Sequence, residues 1–99
     1  MDKLKPSQLL RLGAKQVGQC RFRTFVSLEG VVTQACAYGM MVVAKTGSLD
    51  FEVCRAFSLD GENVLGEATN QVLNEMVNRN DKQYQTPEEI AQWLESKGL

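Results

Sequence analysis

Ninety-nine residues, 43% hydrophobic and 23% charged, are enough for one domain over residues 1–99 with a single modest core. The chain has no histidine, which excludes Ser-His-Asp and Cys-His nucleophilic machinery, and neither GxGxxG nor GxxxxGK(S/T) phosphate loops occur. The net charge of −1 is uneven: residues 1–23 hold six cations (Lys3, Lys5, Arg11, Lys15, Arg21, Arg23) against Asp2, a net of +5, whereas residues 24–99 hold five against eleven acids, a net of −6. That asymmetry fits an acidic partner for the basic third, nucleic acid included, or attraction between two parts of one fold.

Met1-Asp2-Lys3-Leu4-Lys5 lacks the apolar core of a secretory signal, and no apolar run is long enough to span a bilayer. The expectation is a cytoplasmic protein with no membrane partner. Pro6 suits a first helical turn, and Leu9, Leu10, Leu12, Gly13 and Val17 recur at three- and four-residue spacings. With Arg11 and Lys15 on the wet side and Gly18 as a stop, these residues predict a helix over 6–17.

At Cys20 the period changes to two. Cys20, Phe22, Thr24, Val26 and Leu28 alternate with Arg21, Arg23, Phe25 and Ser27, Glu29-Gly30 offers a turn, and Val31-Val32-Thr33 is β-branched. A hairpin over 20–34 follows, with Cys20, Phe22, Val26 and Leu28 on the core face. Arg21, Arg23 and Phe25 then share the outer face, an arginine–aromatic combination enriched in interface hot spots, and are candidate protein-binding residues. The alternative lays Phe25 under the 51–59 segment, with the arginines paired to that segment's acids.

The run from Ala35 to Ala44 carries no charge and predicts a buried helix over 35–46, closed by Lys45 and Gly47. A helix apolar on all sides must be covered on all sides, and Ala35, Ala37, Gly39 and Ala44 allow close approach. Phe51, Val53, Phe57 and Leu59 alternate, interrupted by Arg55, which fits a third short strand or an irregular covering loop before a turn at Asp60-Gly61. Ala68, Val72, Leu73, Met76 and Val77 give one face of a helix over 67–79. Asn70, Asn74 and Asn78 line another stripe of it, either solvated or a hydrogen-bonding strip for a protein partner. Asn80–Gln85 reads as a polar connection. Thr86-Pro87-Glu88-Glu89 is a capping box opening a helix over 87–97, with Ile90, Ala91, Trp93 and Leu94 inward and Gly98 as its end.

The expected fold is therefore α+β: about four helices around a central apolar helix, with a hairpin and room for a third strand. Cys20, Cys36 and Cys54 form no CxxC pair, and without histidine they would need a carboxylate or water to complete a zinc site. They read as small buried hydrophobes in a reducing compartment, so no metal and no cofactor is expected.

Cys36-Ala37-Tyr38-Gly39-Met40 resembles the Cys-Ala-Leu-Gly-Ala helix start of a family of small uncharacterised bacterial and phage proteins. In that family a later helix runs into Asn-Asp, and a Thr- or Ser-capped helix ends near Trp-Leu. Val77-Asn78-Arg79-Asn80-Asp81 and Thr86 through Leu94 are the corresponding pieces here. The resemblance covers residues 35–44 and 72–95, with Tyr38 and Met40 departing from Leu and Ala. It implies a bacterial, prophage or phage source and transfers no activity and no site residue. Together these features predict a small non-enzymatic protein-binding module, a phage- or prophage-encoded modulator or inhibitor of a host protein system. The alternative is a nucleic-acid-binding accessory protein using the basic N-terminal third, against which stands a pI near 5.4. A homo-oligomer stays open.

Overall fold

Pro6 occupies the first position of α1 (Pro6–Ala14), and Leu9, Leu10 and Gly13 form its buried stripe. This is a computed structural model that describes residues 4–59, Leu65 and 69–99. The helix ends three residues before the expected Val17. Gly18 does more than stop it, because Gly18–Gln19 form β1, which pairs in parallel with Gln34 and Ala35.

The hairpin lies later than expected: β2 (Phe25–Leu28) and β3 (Val31–Ala35) replace the predicted 20–34. Glu29 (φ 53°) and Gly30 (φ 80°) supply the two left-handed residues that a tight two-residue turn needs. Phe25 pairs with Ala35 and Val26 with Gln34. A bulge follows, and Ser27 then faces Val32 and Leu28 faces Val31. The sheet order is β1-β3-β2, so the third strand comes from 18–19 and not from the 51–59 segment.

Residues 21–24 are bent, not extended. Phe22 takes φ 64°, which turns the chain and breaks the two-residue alternation. The face assignment is corrected accordingly. Cys20 is buried and Val26 half-buried, but Phe22 and Leu28 are exposed. Phe25 turns inward and meets Phe51 edge-on, ring centroids 6.3 Å apart and planes at 86°. The alternative thus holds for Phe25 but not for the arginines, since Glu52 of that segment pairs with Arg55.

Cys36 caps α2 (Ala37–Thr46), its sulfur accepting the Gly39 N–H at 3.5 Å, and Gly47 (φ 66°) ends it. Residues 37–43 are all buried, and α2 touches α1, β3 and both α3 (Phe51–Ser58) and α4 (Thr69–Asp81). The 51–59 segment is helix α3. Asp50 accepts the Val53 N–H at 3.1 Å and makes an isolated bridge to Val31, and Phe51, Cys54 and Phe57, three apart, face the core. Counting Cys54 as apolar turns the apparent two-residue period into a helical one. The described helices therefore number five, not four. The Asp60-Gly61 turn and the helix start at Glu67-Ala68 lie outside the described residues. On α4, Val72 and Met76 are buried while Val77 is exposed. The capping box of α5 (Pro87–Ser96) is present on both sides: Thr86 accepts the Glu89 N–H at 3.2 Å, and Glu89 accepts the Thr86 N–H at 3.0 Å. No helix among the described residues is long and apolar enough to cross a membrane.

Two contacts fix the helical layer. A Cβ at Gly13 would overlap the Met40 carbonyl and come within 2.9 Å of Met40 Cα; one at Gly39 would overlap the Thr24 carbonyl oxygen and sit 2.9 Å from Ala35 Cβ. Arg11, expected on the wet side, ties α1 to α5 through Glu88 (2.9 and 2.7 Å) and Glu95 (2.8 Å). Part of the N-terminal positive charge is therefore answered within the fold.

Two outcomes are expected. Alanine is the better helix former by about 1 kcal/mol, yet Gly13→Ala should destabilise by about 2 kcal/mol, because the clash is with backbone that cannot turn aside. Urea unfolding decides the sign, and a stabilised variant would contradict the close approach. Arg11 holds the Glu88 and Glu95 carboxyls below the ordinary carboxylate range through its hydrogen bonds. Depressed carboxyls stabilise above their unfolded pKa of about 4.3 and lose that contribution as pH falls through their folded values. The stability gap between wild type and Arg11→Met should be flat from pH 7 to about 5 and close towards pH 3. A gap unchanged at pH 3 would mean that the ion pairs are not its source.

Candidate docking face

Asn80 lies on the buried stripe of α4, four residues beyond Met76 and eight beyond Val72, and is 0% exposed. A buried amide must find partners for two lone pairs and two N–H groups. Its Oδ1 accepts from Gln19 Nε2 (2.8 Å) and from the Ala37 N–H (3.1 Å). Its Nδ2 donates to the Cys20 carbonyl (2.9 Å) and to Asp81 Oδ1 (2.7 Å). All four positions are filled. Asp81 Oδ1 also accepts the Phe22 N–H at 2.9 Å, and Gln19 Nε2 also donates to the Gln85 carbonyl at 2.8 Å. The end of α4 thereby clamps two loops, 20–24 and 82–86, that are sixty residues apart in sequence.

Each loop displays an aromatic in the left-handed region, Phe22 at φ 64° and Tyr84 at φ 53°. They are 68% and 64% exposed. Bulky side chains rarely adopt this conformation, and it persists only where surrounding structure over-determines it. Glu29, also left-handed, has its reason in the hairpin turn; Phe22 has its N–H held by Asp81, and Tyr84 lies where the chain leaves α4, the Gln83 and Gln85 N–H groups donating back to the Asn78 and Arg79 carbonyls at 3.1 and 2.9 Å. Arg21 bridges the loops, its guanidinium carbon 4.9 Å from the Tyr84 ring centroid, and its Nε is buried with no acceptor among the described residues. Between the 20–24 loop and α4 lies a shallow cleft of about 170 Å³ lined by Phe22, Arg23, Thr24, Cys36, Val77 and Asp81.

Among the residues expected to bind, Arg21 and Arg23 sit on this face. Phe25 does not, being packed against Phe51. Asn70 and Asn74 are exposed and Asn78 half-buried. Helical spacing puts Asn74 next to Val77 and Asn78 next to Asp81, so the asparagine stripe borders the cleft. The sequence pattern does not single out Phe22, Asn80 or Asp81 for this face. Asn80 had a usable signal, its place on the Val72–Met76 stripe.

The thiols have little reactivity to offer. Burial raises all three, Cys36 to about 11. A thiol raised this way stays protonated near neutral pH and is a poor nucleophile. What the face offers is rigid aromatic surface, two arginines and a cleft.

Asn80→Ala should lower the unfolding free energy by about 3 kcal/mol or more, because it strands the Cys20 carbonyl, the Ala37 N–H and the Gln19 amide at about 1–3 kcal/mol for each unpaired buried group. Gln19→Ala should cost about 1 kcal/mol. Urea titration measures both, and an Asn80→Ala loss under 1 kcal/mol would show that the clamp does not hold the loops.

Comparison with protein-family models, with curated proteins and with solved structures finds no match for this chain.

Proposed function

We propose that the protein is a small non-enzymatic binding module that acts stoichiometrically by docking on another protein through the face carrying Phe22, Tyr84, Arg21 and Arg23. One observation carries this reading: two exposed aromatics stand in left-handed backbone on one face, Phe22 held by the buried Asn80–Asp81 pair and Tyr84 by backbone bonds to the end of α4. Strain kept at exposed side chains, where packing gains nothing from it, is the mark of a surface shaped for contact. Aromatics and arginine are the residues that dominate protein–protein hot spots. The three raised thiols and the absence of histidine support recognition over covalent chemistry.

Glycine tolerates φ near 60°, so Phe22→Gly and Tyr84→Gly should fold as well as wild type or gain up to about 1 kcal/mol. The same variants should lose capture of a one-to-one partner from lysate, read by crosslinking and mass spectrometry. Glycine variants that keep capture would remove this face from the function. Glycine variants that lose more than about 1 kcal/mol would show that the aromatics serve the fold instead.

A further inference from the structure

We infer that the cleft beside Phe22 receives a bulky apolar side chain from an acidic segment of a partner protein, whose carboxylates meet Arg21 and Arg23. The inference rests on the docking function proposed above and specifies the chemistry of the occupant.

Size comes first. An apolar void of about 150 Å³ accommodates a benzene ring, so a cleft of about 170 Å³ takes one phenyl or branched aliphatic group. Phe22 and Val77 give it apolar walls, and Cys36 lies among its lining residues. Charge comes second. Of the five arginines, Arg11, Arg55 and Arg79 meet carboxylates at 2.7–3.2 Å. Arg21 and Arg23 meet none among the described residues. Among the described residues no carboxylate answers these two cations beside the cleft, and exposed Lys82 follows on the Tyr84 loop. Asp81, the carboxylate of the cleft, is turned to internal donors, the Phe22 N–H and the Asn80 amide. The face is thus locally basic on a protein that is acidic overall, the complementarity that steers an acidic partner.

Orientation comes third. The Arg21 guanidinium rests over the Tyr84 ring, 4.9 Å from its centroid, before any partner arrives, so less freedom is lost when a carboxylate docks on it. A nucleic-acid strand is the weaker fit. Its affinity grows with the number of phosphates neutralised, and this face offers three cations.

The test uses three probes of defined composition: a random Glu-Tyr copolymer at 4:1, poly-glutamate, and oligo-dT. The Glu-Tyr copolymer should bind at least tenfold more tightly than poly-glutamate at low salt, with 15N amide shifts concentrated at residues 21–24, 77 and 81–84. Arg21→Glu with Arg23→Glu should weaken it at least tenfold. Val77→Glu should erase the preference for the copolymer over poly-glutamate. Equal binding of the two acidic polymers, tighter binding of oligo-dT, no binding of either acidic polymer, or shifts elsewhere on the surface would each overturn the inference. Partner capture lost in Phe22→Gly but kept in the double arginine variant would leave the docking function standing and remove the acidic occupant alone.

Discussion

The side chain of Asn80 is the constraint on which the exposed face depends. An amide in the core is tolerable only when every one of its hydrogen-bonding positions is used, and here the four partners belong to β1, to the start of the 20–24 loop, to the first residue of α2 and to the neighbouring Asp81. Satisfying one residue therefore brings together parts of the chain with no local reason to meet. The Ala37 N–H is among the orphan donors at the start of the buried helix α2, so Asn80 supplements a cap that the Cys36 sulfur makes only at 3.5 Å.

The two loops do not move independently under this arrangement. Asp81 holds the 20–24 loop through the Phe22 N–H, Gln19 holds the 82–86 loop through the Gln85 carbonyl, and both reach Asn80. Opening the first loop strands an Asp81 oxygen, and opening the second leaves the Gln85 carbonyl without the Gln19 donor. Rigid presentation of Phe22 and Tyr84 follows, and rigidity lowers the ordering cost of association.

Much of the fold was legible because its signals are local. The Pro6 start, the uncharged run that becomes α2 and the Thr86–Glu89 capping box each depend on residues within one or two turns of one another. Helix α3 is disguised because Phe51, Val53, Phe57 and Leu59 share a parity; the deciding residues are Asp50, an N-cap, and Cys54, which completes a three-residue spacing. The face was less legible, for a physical reason. A left-handed Phe22 is imposed by a carboxylate fifty-nine residues away, and no neighbour of Phe22 announces it. Once the chain turns there, the alternation across residues 20–28 no longer holds for Phe22, Phe25 and Leu28, and Phe25 lies inward while Phe22 lies outward. Asn80 is hidden by its polarity: an amide that follows an apolar stripe reads as the start of a connection.

The bulge between Val26 and Ser27 has a bearing on how the protein behaves in a crowd. β2 is one of the two edges of the sheet, four residues long, with no proline and no charged side chain to discourage a visiting strand. A flat edge of that composition invites a neighbouring chain to extend the ladder. The extra residue is Thr33 of β3, and a bulge increases the local twist, so β2 presents a visiting strand with a short, twisted ladder of four residues. Shortness and twist are the means by which an uncharged edge of this kind discourages self-recruitment into ribbons.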